Sequence, residues 1–406
     1  MKKYFFFAAI AAIGLASCSS DETIASQATS ESNEISFRPL TNSMTRATET
    51  SFTQTTNGAT FNVTAYEAGA ETNKYFGPVT FTGNGTAFYS ANKYYWPTAY
   101  NLDFYAYAPT SSDKVGSDKQ IVPWDGNAYD ANSYKIFKIT PASDPDDQVD
   151  FVYAKTNKWG KKDETGYNNG TNGVTINFRH AESQIVIKFK NTNPNLKFTI
   201  ASVALRYIKP TGVITFDVDN TDTKTTTSSG PFITSSWSAS GTEVNYTNET
   251  TTAFDNSNAA TAQLLSPTMI LIPQATTHGT TYSTTAEEAP FNHANIMVEL
   301  TIQNSANDAY IIGGSSSYTK AMWPVPAVTW QPGRKYIYTV DLAGGGYHEK
   351  NNNDGDNELD PILEGAEIKF VTVTVDDWID SVVDGDGNGA SDADGNGNNN
   401  DDPINM

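Results

Sequence analysis

Apolar and polar residues alternate with a period of two along most of this chain, and no other feature restricts its fold as strongly. Successive side chains of an extended strand point to opposite faces of a sheet, so alternation gives one buried and one solvated face. No ten-residue window carries a convincing helical period. We therefore predict an all-β protein. The alternating apolar runs are Phe61, Val63 and Ala65; Val79 and Phe81; Leu102, Phe104 and Ala106; Val174, Ile176 and Phe178; Ile185, Ile187 and Phe189; Ile214, Phe216 and Val218; Ile296, Val298, Leu300 and Ile302; Tyr336, Tyr338 and Val340; and Val371, Val373 and Val375.

Turn signals and length divide these strands into β-sandwiches. Asn84-Gly85 between two apolar segments is a strong hairpin signal. A chain of 406 residues favours two domains. The Gly/Asn-rich stretch 161–173 is the natural break, so we predict sandwiches at 47–173 and 174–380, although the strand of His180 fits either. A Thr/Ser/Asn-rich stretch, about 219–262, is predicted to be a surface loop of the second sandwich.

The only cysteine, Cys18, lies at the end of a secretory signal. Two lysines precede an apolar run over 4–16 that is too short to span a bilayer and ends in the lipobox Leu-Ala-Ser-Cys. We predict a signal peptide at 1–18 with a lipidated Cys18, which anchors the chain to a membrane without crossing it. Residues 19–46 are predicted to contain a polar tether followed by a short extended segment.

The charge of the chain restricts its partners. Lys and Arg number 26 against 46 acids, and a net charge of −20 repels phosphate backbones, so we exclude nucleic acid as a partner. Residues 381–406 are predicted to be a solvated acidic tail. Two incomplete EF-hand-like repeats in this tail are weak Ca²⁺ candidates, but both lack a carboxylate at position 12 and flanking helices. Their oxygen-bearing residues are Asp384, Asp386, Asn388, Asp392, Asp394 and Asn396.

No residue cluster in the sequence indicates catalysis. The four histidines, His180, His278, His293 and His348, lack metal-ligand spacing, and no HExxH, GxSxG or P-loop motif occurs. His180 and His293 are predicted to pack or to form hydrogen bonds. We therefore expect a protein that is not an enzyme and has no cofactor, with Ca²⁺ in the tail as the one open alternative.

A short apolar segment precedes an arginine that stands among small polar residues. Ile35, Phe37 and Leu40 form the segment, and Arg46 follows in SMTRATET. This context suits a protease, but composition alone favours an ordinary surface arginine.

Together these features resemble the fimbrillin family, the lipoprotein-derived pilins of type V pili in Gram-negative anaerobes. The resemblance implies two transthyretin-like sandwich domains, export as an outer-membrane lipoprotein, and cleavage between Arg46 and Ala47 by an arginine-specific surface protease. Donor-strand exchange follows, in which loss of Ile35, Phe37 and Leu40 opens a groove for a strand of another subunit. The resemblance rests on the Cys18 lipobox, ISFRPLTNSMTRA (35–47), YYWPTAYNLDFYAYAP (94–109), DFVYAK (150–155), VTINFRHAESQIVIKFKN (174–191), LIP (271–273), PGRKYIYTVDL (332–342) and VTVDDW (373–378).

Two functions from different classes follow from this sequence. The first is an adhesive pilus subunit of the accessory or tip type, because residues 381–406 lack the alternating apolar residues of a donor strand. Its partners would be other pilus subunits and a host or bacterial surface ligand. The alternative is an outer-membrane lipoprotein that never polymerises and binds glycan or a host ligand through surface loops. Retention of residues 19–46 in the mature protein would favour the alternative.

Overall fold

The structure, a computed structural model, describes residues 33–40, 57–160, 168–169, 173–216, 236–250, 252–277, 293–349, 359–368 and 371–377. Within these ranges nearly all regular structure is β-strand, which confirms the predicted fold class. The only helices there are three short 3-10 helices, Pro145–Asp147, Asn256–Asn258 and Leu342–Gly344. No helix of the described part is long and apolar enough to cross a membrane.

The strands follow the alternating runs of the sequence. In chain order they are β1 (Phe37–Leu40), β2 (Asn57–Glu67), β3 (Ala70–Asn84), β4 (Phe88–Ser90), β5 (Leu102–Ala108), β6 (Ile121–Pro123), β7 (Ile136–Ile139), β8 (Val152–Gly160), β9 (Asn168–Asn169), β10 (Val174–Asn177), β11 (Arg179–His180), β12 (Ser183–Lys190), β13 (Leu196–Ile208), β14 (Thr211–Thr215), β15 (Ser236–Ser240), β16 (Val244–Glu249), β17 (Gln263–Leu264), β18 (Met269–Leu271), β19 (Asn295–Asn304), β20 (Tyr310–Ile312), β21 (Thr319–Pro324), β22 (Arg334–Asp341), β23 (Tyr347–His348) and β24 (Thr372–Asp377).

The first sheet contains nine strands in the order β10-β1-β4-β3-β2-β5-β8-β11, with β9 beside β8. Its inward side chains form the N-terminal core, in which Phe37, Phe61, Phe81 and Phe104 are fully buried. Strand β1 is inserted between β10, which is parallel to it, and β4, which is antiparallel. The N-terminal core therefore includes β1, and the next described strand along the chain begins only at residue 57.

The Asn84-Gly85 hairpin is confirmed, and it fixes the register of β4 beside β3. Phe81 pairs with Ser90 and Gly83 with Phe88. The Asn84 side-chain oxygen accepts from the Thr86 and Ala87 amides at 3.0 and 3.1 Å. Gly85 has a φ of +91°, a left-handed conformation that glycine adopts without a steric penalty. This turn brings Phe88 to the edge where β1 pairs.

Two further sheets enclose the C-terminal core. One has the order β17-β12-β22-β24, with β18 beside β12, and the other has the order β16-β13-β19-β21-β23, with β20 beside β19. The buried residues between them all come from residues 185–373, and Trp323, Trp330 and Tyr338 are among the largest. The strands that supply this core all lie within or next to that stretch of chain, which also contains β14 and β15 of another sheet.

A fourth sheet, β15-β14-β7-β6, joins residues from both sides of the boundary predicted at residue 173. Side chains of this sheet and its neighbours form a third buried cluster, which contains Phe137 and Phe151 together with Ile214 and Phe216. Strands β10 and β11 also follow residue 173 and belong to the first sheet. The predicted boundary therefore falls inside the first sheet, because β10 pairs with β1 rather than with its neighbours in sequence.

The prediction of a surface loop over 219–262 is wrong where the structure describes it. Strands β15 and β16 and a 3-10 helix lie within that stretch, while 219–235 lie outside the described residues. Tyr246 of β16 is buried opposite Leu205, and Trp237 of β15 pairs with Ile214. Ser238, Ser240 and Thr247 occupy exposed positions of these strands, and Asn248 is buried in β16, so the sequence shows too few apolar residues for an alternating pattern to be recognised.

Candidate functional site

The N-terminal segment is held by two different edges of the first sandwich. The Ile35 amide donates to the Tyr94 carbonyl at 2.8 Å, and the Trp96 amide donates to the Asn33 carbonyl at 2.9 Å. At Ser36 the segment changes its partner from residues 94–96 to β10. The Val174 amide donates to the Ser36 carbonyl at 2.7 Å, and Phe37 pairs with Val174. We call the space that residues 33–40 occupy the N-terminal slot.

The inward side chains of this segment are part of the N-terminal core. Ile35 is 1% exposed and Phe37 is fully buried. The Phe37 ring meets the rings of Phe81, Phe104 and Phe61 edge to face, with centroid separations of 4.8, 5.1 and 5.9 Å. Edge-to-face pairs add to the free energy gained by burying the rings. Phe37 thus fills a cage of three aromatic rings.

The outward side chains of the segment also contact the rest of the protein. The Glu34 carboxylate lies 3.2 Å from the Lys93 ammonium, and this hydrogen bond raises the pKa of Lys93. Gly173 has a φ of +94°, and a Cβ at this position would lie 3.1 Å from the Arg38 side chain and 3.2 Å from the Ser36 hydroxyl. The glycine therefore permits both a left-handed turn and the close approach of the N-terminal segment.

Loss of the segment would change this region in a defined way. The backbone amides of Trp96 and Val174 would lose their acceptors, and a sheet edge would open between β10 and β4. Burial of one large apolar side chain contributes about 1.5–3 kcal/mol, so an empty slot would expose a costly apolar surface. An open edge next to an apolar groove is the usual receptor for an added β-strand.

A second notable site is a buried acidic cluster where the chain passes from β11 to β12. The His180 ring Nδ1 lies 2.9 Å from the Asp150 carboxylate, whose side chain is 1% exposed. Glu182 is fully buried; its Oε2 accepts from the Phe151 amide at 3.1 Å, and its Oε1 has no hydrogen-bond partner among the residues that the structure describes. Burial, and then the Asp150 charge, raise the pKa of Glu182 well above its usual value. This environment favours the protonated carboxyl group.

The same cluster ties the first sheet to the C-terminal sheets. The Gly333 amide donates to the Glu182 carbonyl at 2.8 Å, and the Ser183 hydroxyl donates to the Gln331 carbonyl at 2.9 Å. Residues 331–333 directly precede β22, while Asp150 directly precedes Phe151 and β8. The cluster is therefore a buried polar junction between two parts of the fold.

Three tyrosines lie near the point where the N-terminal segment pairs with residues 94–96. Tyr95 is 50% exposed and Tyr100 is 36% exposed. The Tyr75 hydroxyl donates to the Tyr95 carbonyl at 2.6 Å, and the Tyr75 and Tyr100 rings lie 6.2 Å apart. Tyr95 also forms a bridge with Glu34 of the N-terminal segment. An exposed aromatic surface thus adjoins the place where this segment enters the fold.

The remaining predicted site residues fall into two groups. Ile35 and Phe37 lie in the slot, and Leu40 is the last residue of β1. His180 and His293 make the hydrogen bonds predicted for them, the latter with Thr277 at 3.3 Å. Among the described residues no group of acids, histidines or cysteines could hold a metal ion. The others lie outside the described residues: Cys18, Arg46, Ala47, and the tail residues Asp384, Asp386, Asn388, Asp392, Asp394 and Asn396.

Sequence reasoning missed the partners of the N-terminal segment. The pairing of residues 33–35 with 94–96 carried no signal, because an isolated bridge has no alternating pattern. The YYWP sequence was noted, but its tryptophan fitted a core or a turn equally well. Glu182 was also missed, since a single acid between two apolar strands resembles a connecting residue.

Comparison with known proteins places this fold among surface appendage proteins. The family model described as fimbrillin-like matches residues 45–378. A fimbrial protein from Bacteroides vulgatus is 19% identical, with 86% of this chain and 100% of that chain covered and a TM-score of 0.52, which indicates a shared fold. A candidate cell adhesion protein from Bacteroides uniformis is 15% identical over 85% of this chain and 98% of that chain, with a TM-score of 0.43. No protein with a curated description matches the chain.

Proposed function

Because this chain belongs to the fimbrillin-like family, we propose that it is an adhesive subunit of a surface pilus, assembled by donor-strand exchange. The observation that carries the proposal is the N-terminal slot. Ile35 and Phe37 occupy a core otherwise formed by residues 59–178, and they lie on a short segment that precedes the proposed cut after Arg46. The proposal assigns the protein a structural and adhesive role and no reaction.

Cleavage between Arg46 and Ala47 is the proposed trigger. The cut would lie six residues after the end of β1 at Leu40, so residues 33–40 would keep only non-covalent contacts with the rest of the protein. A strand from another subunit could then replace them. Main-chain hydrogen bonds to β10 would supply affinity, and side chains in the slot would fix the register.

The proposed life cycle begins at the outer membrane. A lipid on Cys18 would hold the precursor at the cell surface until the cut releases residues 47–406 into the pilus. We further propose that the subunit is of the accessory or tip type, because residues 381–406 carry several Asp and Gly and no sustained apolar alternation. Burying an unpaired carboxylate in an apolar groove would cost several kcal/mol.

The test replaces the arginine at the proposed cut. Arg46→Ala should abolish the surface filaments that contain this protein, while the precursor remains folded, because Arg46 stands among small polar residues in the sequence and not in an alternating apolar run. Thr45→Ala is the matched control and should assemble normally. N-terminal sequencing of sheared filaments should begin at Ala47. Filaments of Arg46→Ala protein that retain residues 19–46 would contradict the proposal.

The exposed tyrosines favour a second candidate function. Tyr95 and Tyr100 offer aromatic surface on which a sugar ring or an apolar ligand could stack, which suits a lipoprotein that binds glycan or a host ligand without polymerising. Tyr95→Ala together with Tyr100→Ala should then abolish ligand binding by the uncut protein. Unchanged adhesion of cells that carry this double variant would count against this candidate.

A further inference from the structure

The two walls of the N-terminal slot pair with the resident segment in opposite strand directions. Residues 33–35 pair antiparallel with residues 94–96, whereas β1 runs parallel to β10. The partner changes at Ser36, whose carbonyl accepts from Val174. A replacing strand must satisfy both edges, so its direction and its register are fixed together.

The two inward positions of the slot are both buried but have different neighbours. At Phe37 three phenylalanine rings surround the side chain within 6 Å, and the residue is fully buried. Ile35, 1% exposed, belongs to the same buried cluster as Trp96, whose ring is 6.0 Å from that of Phe104. An aromatic ring suits the Phe37 position, because edge-to-face contacts need a ring. An aliphatic side chain fills the Ile35 position.

The outward positions set weaker limits. Gly173 leaves little room above Ser36, because a Cβ there would already lie 3.2 Å from the Ser36 hydroxyl. A small residue is therefore favoured between the two inward positions. Lys93 faces Glu34, but its side chain is 64% exposed, and ion pairs at such positions have small effects.

We propose that the slot recognises an extended segment of another subunit with the order aliphatic, small, aromatic, parallel to β10 at its aromatic residue. This inference rests on the proposed strand exchange and names the partner by its side-chain pattern. The resident segment, with Ile35, Ser36 and Phe37, is the template for that pattern. Aromatic recognition at the Phe37 position dominates, because that side chain has the most contacts to lose.

The experiment uses residues 19–406, which keep the resident segment, with a specific protease site inserted between Arg46 and Ala47. After the cut, a fluorescent peptide with the sequence of residues 31–41 competes with the resident segment, and anisotropy reports binding. Phe37→Ala in the peptide should weaken binding by a hundredfold or more, judged from about 3–5 kcal/mol for truncating a buried phenylalanine. Ile35→Ala should give a loss of about thirtyfold or more.

Matched peptides separate side-chain recognition from backbone pairing. Arg38→Ala and Glu34→Gln change outward residues, and each should alter binding by about fivefold at most. Ser36→Trp should weaken binding strongly because of Gly173, whereas Ser36→Ala should not. A peptide with one residue inserted between Ile35 and Phe37 keeps both of these side chains. It should fail to bind, because the insertion shifts the aromatic ring to the outward face of the strand.

The outcomes distinguish this inference from the proposed function. If the native peptide and all variants bind equally well, the recognition pattern is wrong but strand exchange stands. If no peptide, including the native one, enters a cut and folded protein under conditions that release the resident segment, strand exchange itself is contradicted. Loss of binding confined to the Phe37, Ile35, Ser36→Trp and insertion peptides supports the inference.

Discussion

The core that contains Phe37 and the core that contains Phe189 are built from different kinds of chain segment. In the C-terminal core every buried residue comes from residues 185–373, although β14 and β15 within this stretch belong to another sheet. The N-terminal core instead takes Ile35 and Phe37 from a segment that enters ahead of residue 57 and pairs with a strand starting at residue 174. One core is complete within a single stretch of chain, and the other depends on a segment that a single cut would detach.

Under the proposed strand exchange, this difference would allow one molecule to be stable before cleavage and to assemble after it. The C-terminal core keeps its packing whatever happens to residues 33–40, because none of them contributes to it. When the segment leaves, the N-terminal core would lose two buried side chains, the acceptors of the Trp96 and Val174 amides, and the pairing of β1 with β10. Under the proposed function, the incomplete core would then gain free energy by binding another strand.

The largest expected effect is the loss of stability when Phe37 is truncated. Phe37→Ala in the uncut protein should lower the free energy of unfolding of the N-terminal sandwich by about 3–5 kcal/mol. Phe189→Ala should have a similar effect on the C-terminal core, where Phe189 is also fully buried. Denaturant unfolding before and after cutting and release of the segment measures both. The Phe37 effect should vanish after release while the Phe189 effect persists, and equal persistence of both would contradict the comparison.

The junction between the two cores should respond to pH. Glu182 has a raised pKa in the folded protein, so its carboxyl group releases its proton less readily when folded than when unfolded. The stability linked to this group is therefore fully present below the unfolded pKa and is lost as pH rises through the folded pKa. The free energy of unfolding should fall by up to about 1.4 kcal/mol per pH unit in that window.

Glu182→Gln tests this dependence, since the amide does not titrate in that range. The variant should show a shallower fall in the free energy of unfolding with rising pH. Glu249→Gln, an exposed acid of β16, is the matched control and should leave the slope unchanged. An unaltered slope in Glu182→Gln protein would show that another group controls the junction.

A smaller effect is expected at the glycine beside the slot. Gly173→Ala should destabilise the uncut protein by about 1–2 kcal/mol from its left-handed backbone alone, with a further loss from crowding of Ser36 and Arg38. Gly85→Ala is the control, because its φ is +91° but no atom lies within 4 Å of the added Cβ. Thermal unfolding should show a larger loss at Gly173, and the excess should disappear once the segment is released. A constant excess would mean that the crowding comes from elsewhere.

Local sequence patterns predicted much of the fold because strand faces are encoded locally. The alternation of Phe61, Val63 and Ala65 gave β2, and Asn84-Gly85 gave the β3–β4 hairpin. The same alternation says nothing about which strand lies alongside, so the parallel pairing of Phe37 with Val174 was not predicted. That omission placed the domain boundary at residue 173. Ser- and Thr-rich strands such as β15 were missed because few of their side chains are apolar.

The candidate site was predicted in part for the same reason. Ile35 and Phe37 were recognised as part of a short extended segment, and only the resemblance to fimbrillins implied that this segment is removable. The aromatic cage of Phe37 depends on rings from β2, β3 and β5 that come together only in the folded core. Glu182 gave no signal, because burial of an acid is a property of its surroundings and not of its neighbours in sequence.

Amide hydrogen exchange after removal of the N-terminal segment tests the central claim most directly. The protein cut between Arg46 and Ala47 and freed of residues 19–46 should show rapid exchange at Trp96 and Val174, whose amides lose their Asn33 and Ser36 acceptors. Amides of β12 and β19 should remain protected, and adding the 31–41 peptide should restore protection at Trp96 and Val174. Unchanged protection at these two amides after removal, or equal loss in β12 and β19, would contradict the account.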